Sequence, residues 1–96
     1  MASITQTEYH LIRKNILKKL YANNAFSKGH LLLERLHNGI PRHLAGFVEA
    51  VLSDLLKERL VIIYGKTKHG TAYQLNITKL QEIEDTVLES KNNTGK

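Results

Sequence analysis

The sequence predicts a small α+β domain, mainly helical, and three observations predict it. Residues 27–76 hold two helical patterns joined by His37-Asn38-Gly39-Ile40-Pro41. A β-branched run and an alternating strand follow, separated by the short basic loop Lys66-Thr67-Lys68-His69-Gly70. Between these features lies the clearest apolar stripe in the chain: Leu44, Phe47, Val48, Val51, Leu52, Leu55 and Leu56 at helical spacing.

The first helix has a defined start. Thr5 suits the N-cap, Glu8 three residues later completes a capping box, and Ile4 can staple onto Tyr9. Tyr9, Ile12, Ile16, Leu17 and Leu20 then share one face, flanked by Arg13, Lys14, Lys18 and Lys19, and Asn23-Asn24 end it. Ala25-Phe26 reads as a short extended link or small strand. Ser27 suits the next N-cap, for a helix running through Leu32, Leu33 and Leu36. His37-Asn38-Gly39 stops that helix, because Asn and Gly tolerate a left-handed backbone.

Ile40 is the apolar residue expected beneath the turn, and Pro41 suits the first position of a new helix over about 41–58. Leu60-Val61-Ile62-Ile63-Tyr64 and Thr71-Ala72-Tyr73-Gln74-Leu75 read as the two arms of a hairpin. A last helix begins near Asn76 or Thr78, where Thr78 and Gln81 could form a second capping box. Leu80, Ile83 and Val87 are its apolar face. The order is α-(β)-α-α-β-β-α in a single domain over 1–90, with 91–96 a polar, frayed tail.

Composition narrows the function. Ninety-six residues form one modest core, and 14 Lys and Arg against 9 Asp and Glu leave a net charge of +5. A basic domain of this size fits a polyanionic partner. The absence of cysteine excludes disulfides and thiolate chemistry. No apolar run approaches the roughly 18 residues that span a bilayer, and Met1 to Gln6 lack the plan of a signal peptide. A cytoplasmic location is the default expectation.

The stretch Gly39-Ile40-Pro41-Arg42-His43-Leu44, followed by Val51-Leu52-Ser53-Asp54-Leu55-Leu56-Lys57-Glu58-Arg59-Leu60-Val61, resembles the winged helix-turn-helix superfamily. It looks in particular like the small bacterial and archaeal transcription regulators, in which a leucine pair, a charged turn and Leu-Val open the wing. The resemblance spans about residues 7–76, with the final helix a common addition. It implies a three-helix core with a hairpin wing. Helix 41–58 would be the recognition helix in a major groove, with Lys66 to Gly70 a wing tip on the flanking backbone. Such regulators commonly dimerise through terminal helices, and Leu11, Tyr21 and Leu88 are the candidate seam.

With the stripe of helix 41–58 turned inward, Arg42, His43, Gly46, Glu49, Ala50, Ser53 and Lys57 face outward. Arg42 can meet a guanine edge or a phosphate, His43 either, and Ser53 a phosphate. Glu49 opposes a polyanion. Lys66, Lys68 and His69 project from the loop with no acid beside them in sequence. Double-stranded DNA held mainly through phosphates is therefore the expected partner. The blander alternative is that these cations only solvate helix ends and a hairpin tip. Gly46, Glu49, Ala50 and Asp54 also suit a winged helix that binds protein, or a subunit of a larger nucleic-acid complex.

Other classes have little support. Most of the aromatics sit on core stripes, and no clustered platform for stacking RNA bases is visible. His30, Glu34 and His37 could share a helix face, but no zinc-binding motif surrounds them. Neither a catalytic triad, a carboxylate pair nor a phosphate-cradling loop can be picked out. The expectation is a protein that is not an enzyme and needs no metal or cofactor.

Overall fold

Helix α1 (Gln6–Ala22) opens on the expected capping box in the computed structural model of the chain, which describes residues 4–88. The Glu8 amide donates to the Thr5 hydroxyl and the Thr5 amide to the Glu8 carboxylate, each at 3.1 Å. Two donors at the helix start are thereby satisfied reciprocally. The remaining elements are β1 (Leu31–Leu32), α2 (Leu33–Leu36), a 3₁₀ turn (Arg42–Phe47), α3 (Val48–Lys57), β2 (Val61–Thr67), β3 (Gly70–Leu75), a second 3₁₀ turn (Ile77–Lys79) and α4 (Leu80–Val87). The architecture is α+β and mainly helical, with an antiparallel sheet of order β1-β3-β2.

One core joins these elements. Ile12, Ile16, Leu17 and Leu20 of α1 pack with Val48, Val51, Leu52 and Leu55 of α3, and with Ile83 and Val87 of α4. Val61 and Leu75 seal the sheet against it. Each such side chain is worth roughly 1.5–3 kcal/mol when fully withdrawn from water. The expected stripes of α1 and α3 face this core, with Tyr9, Phe47 and Leu56 partly buried, whereas on α4 Ile83 and Val87 are buried and Leu80 is only half-buried.

The segment after α1 departs from the sequence expectation. Ser27 caps no helix, because its backbone is left-handed at φ 62°. Leu31 and Leu32 instead pair with Tyr73 and Ala72 as the third strand, which leaves α2 a single turn. The Gln74 side-chain amide holds the loop open by donating to the carbonyls of Ser27 at 2.8 Å and Gly29 at 3.0 Å. Phe26 makes only an isolated parallel bridge to Leu75, so Ala25-Phe26 is a link and not a strand of the sheet.

Gly39 adopts the left-handed backbone that its place in the turn requires (φ 80°), and Ile40 is buried as expected. Pro41 precedes a 3₁₀ turn rather than an α-helix, so the helix expected over 41–58 becomes two segments. Lys19 does not simply face water. Its ammonium donates to the Leu36 carbonyl at 2.9 Å, tying α1 to the end of α2, and burial pushes its pKa down. Asn76, not Thr78, caps the final turn: its side-chain oxygen accepts from the Thr78 amide. Gln81 bonds Asp85, so the second capping box does not form. The tail expected over 91–96 lies outside the described residues.

Two tyrosines cross-link the helices. Tyr9 donates to Asp54 at 2.7 Å and Tyr21 to Glu84 at 2.8 Å. Those hydrogen bonds raise both phenol pKa values above 10.0, because ionisation would set a phenolate against a carboxylate. Burial raises Tyr73 as well. A raised folded-state pKa gives stability that is present below pH about 10 and is lost as pH climbs through the folded values. Lys19, lowered, acts in the opposite sense. Urea titrations near pH about 7 and about 11 should therefore show a smaller alkaline loss for the Tyr9→Phe, Tyr21→Phe variant than for the parent. An equal loss in both would exclude these bonds as its source.

Candidate nucleic-acid interface

The seven side chains expected to contact DNA are all exposed: Arg42, His43, Ser53, Lys57, Lys66, Lys68 and His69. They lie on two structural units. Arg42 and His43 leave the 3₁₀ turn, and Ser53 and Lys57 leave the outer face of α3. Lys66 belongs to the end of β2, while Lys68 and His69 form the turn itself. The strands thus run closer to the tip than the five-residue loop expected from sequence.

That tip is fixed locally. The Thr67 hydroxyl accepts from the His69 amide at 3.0 Å and donates to the Gly70 carbonyl at 2.9 Å. A two-residue turn stapled on both sides holds Lys68 and His69 outward. Ordering such a tip in advance lowers the entropy lost when it meets a partner.

The acids around α3 are less obstructive than their sequence positions suggest. Asp54 turns to Tyr9, and Glu58 pairs with Arg13 of α1. Among the described residues, Arg42, Lys57, Arg59, Lys66 and Lys68 have no carboxylate within 4.0 Å. Two negative charges do remain. Glu49 is exposed on α3, and Glu8 Oε2 lies 3.9 Å from His43 Nε2. A phosphate approaching His43 has to compete with that carboxylate.

Arg59 is the cation that sequence reasoning passed over. Its φ of 65° ends α3 in a left-handed turn, where its amide donates to the Leu56 carbonyl. Arg59 lines an open groove with Leu56, Lys57, Val61, Ile62, Ile63 and Asn76, so the end of α3 and strand β2 share one surface. His30, considered with Glu34 and His37 as a metal set, stacks instead on Tyr64, ring centroids 4.2 Å apart. No cluster of three metal-ligating side chains occurs among the described residues.

Of the candidate dimer seam, Leu11 and Leu88 are exposed, whereas Tyr21 is committed to Glu84 and packs against the core. No helix among the described residues is long and apolar enough to cross a membrane. No family profile, curated protein or solved structure matches this chain.

Proposed function

We propose that this chain is a DNA-binding transcriptional regulator of the winged helix-turn-helix type, acting in the cytoplasm. One observation carries the reading: exposed cations with no carboxylate within 4.0 Å stand both on the hairpin tip and along the 3₁₀ turn and α3. In this reading the turn and α3 approach a major groove. Arg42 meets a guanine edge or phosphate, and His43, Ser53 and Lys57 meet phosphates. Lys66, Lys68 and His69 rest on the flanking backbone. Gly46 has nothing within 4 Å of where a Cβ would sit, so the backbone there can come close to a partner. A homodimer joined through Leu11 and Leu88 would present two such surfaces to one site.

Binding of this kind is dominated by phosphate neutralisation. Five cations (Arg42, Lys57, Arg59, Lys66 and Lys68) engaging phosphates give a log-log salt slope of about −4 to −5. Fluorescence anisotropy of random duplex DNA, titrated with protein at several salt concentrations, measures that slope directly. A slope near zero overturns the reading.

The second reading is a winged helix that binds another protein, or a subunit of a larger nucleic-acid complex. Glu49 on the exposed side of α3 favours it, as does the 3₁₀ backbone in place of the helix's first turns. Absence of duplex binding at low salt would transfer the assignment to that class.

A further inference from the structure

The turn that ends α2 carries the chain's one Asn-Gly pair, Asn38-Gly39, and both residues are exposed. The amides around it are tied down. His37 donates to the Glu34 carbonyl at 3.3 Å, Asn38 to Arg35 at 3.3 Å and Ile40 to His37 at 3.2 Å. The Gly39 amide between them makes no hydrogen bond among the described residues, and neither does the Asn38 side chain. Gly39 is left-handed at φ 80°, and the atoms nearest to the place of a Cβ there are Lys19 Cε and Nζ, each 3.9 Å away. The other described asparagines lack this combination. Asn23 donates to the Lys19 carbonyl, and Asn76 is bonded to Arg59 and Thr78. Asn24 precedes the fully buried Ala25, and Asn15 lies within α1 with its side-chain oxygen buried.

We propose that Asn38 is a site of spontaneous covalent modification, converted to aspartate and isoaspartate by attack of the Gly39 amide nitrogen. Solvent hydroxide takes the amide proton, and the nitrogen attacks the side-chain carbonyl carbon of Asn38. A bond forms between Gly39 N and Asn38 Cγ, and the Cγ–Nδ2 bond breaks. The side-chain nitrogen takes a proton from water and leaves as ammonia. Water then opens the cyclic imide, releasing a carboxylate and a proton. Opening at Cγ gives aspartate, and opening at the main-chain carbonyl gives isoaspartate. The fold favours the attack in three ways. Gly39 has no side chain to block it, and its amide has no hydrogen bond to lose. The Lys19 ammonium beside it also favours the anionic nitrogen. Isoaspartate routes the main chain through Cβ and Cγ, which adds a methylene to the turn. That turn connects Leu36, whose carbonyl holds Lys19, to the buried Ile40. A longer connection strains both attachments, so the isoaspartate form is the less stable product.

The test ages the folded full chain in warm, mildly alkaline buffer and follows it by tryptic mapping and mass spectrometry. Cleavage after Arg35 and Arg42 releases residues 36–42, in which Asn38 is the single asparagine. This fragment should gain the mass of an amide-to-acid conversion before the fragments holding Asn15, Asn23, Asn24 or Asn76. A protease that cuts before aspartate, but not before isoaspartate, separates the two products. A synthetic peptide of residues 34–44, aged alongside, gives the rate without the fold, and the folded chain should convert at a comparable rate. Conversion of the peptide while the folded chain stays intact would overturn the proposal, because the turn would then hold Asn38 away from the Gly39 nitrogen. Earlier conversion at another described asparagine would overturn it too. Urea denaturation tests the consequence. The isoaspartate fraction should unfold at a lower midpoint than freshly prepared Asn38→Asp protein, which has the same charge on an unaltered main chain. Equal midpoints would exclude any strain in the lengthened turn. The mapping needs no variant, and its outcome is independent of whether the chain binds DNA.

Discussion

Replacing Lys66 and Lys68 together with alanine should weaken binding to every duplex by a similar factor and flatten the salt slope by up to about two units. The magnitude follows from counterion release. Each phosphate contact contributes about 0.9 to the slope, so losing two at physiological salt costs on the order of tenfold or more in affinity. The fold should not respond, because both side chains are exposed and neither carries a hydrogen bond or ion pair that holds the hairpin. The tip is held by Thr67, which the variant retains. Arg42→Ala provides the contrast: if Arg42 reads a base, its loss changes the preference among sequences rather than the general affinity. Parallel anisotropy titrations on several duplexes separate the two effects. An unchanged slope in the double variant would remove the hairpin tip from the proposed interface.

The hairpin tip was legible because its determinants are local. Lysines next to a tight turn stay exposed whatever the rest of the chain does, and Thr67 closes the turn within three residues. The surface of α3 was less legible, since distant residues decide which of its charges are free. Asp54 reads as an outward acid until Tyr9, 45 positions away, takes its carboxylate. Lys19 reads as one more solvated charge until the Leu36 carbonyl meets it. Arg59 becomes part of the surface through a left-handed backbone that a non-glycine residue rarely adopts and that no local pattern announces.

The same division explains the fold. Long stripes, capped in α1 and uncapped in α3, bury the expected faces because burial and local propensity agree. Leu31-Leu32-Leu33 fits a strand and a helix equally, and short apolar runs cannot be resolved by periodicity. Tertiary pairing resolves this one: β3 claims Leu31 and Leu32, and Gln74 holds the preceding loop from more than forty residues away.

That loop makes Gly29, which looks like ordinary punctuation in the sequence, the most constrained glycine described. A Cβ at Gly29 would lie 2.2 Å from the Asn24 carbonyl oxygen and 3.2 Å from the Ala25 Cα. Both are backbone atoms and cannot rotate away. Ala25 is fully buried and its carbonyl accepts from Leu75, so the obstructing chain is anchored to β3. The Gly29 amide donates to Phe26, and its carbonyl accepts from Gln74, so the glycine cannot readily move either. Gly29→Ala should therefore destabilise the protein by about 2–3 kcal/mol, the upper part of the range for overpacking against a rigid neighbour. Gly46→Ala is the internal control, since nothing lies within 4 Å of its added methyl. Urea denaturation of the two variants and the parent makes the comparison, and a Gly29 variant as stable as the Gly46 variant would contradict this packing. If the prediction holds, the loss should fall first on β1, whose pairing with Tyr73 and Ala72 depends on that loop. Hydrogen exchange at Leu31 and Leu32 should rise before that of the α1 and α3 core.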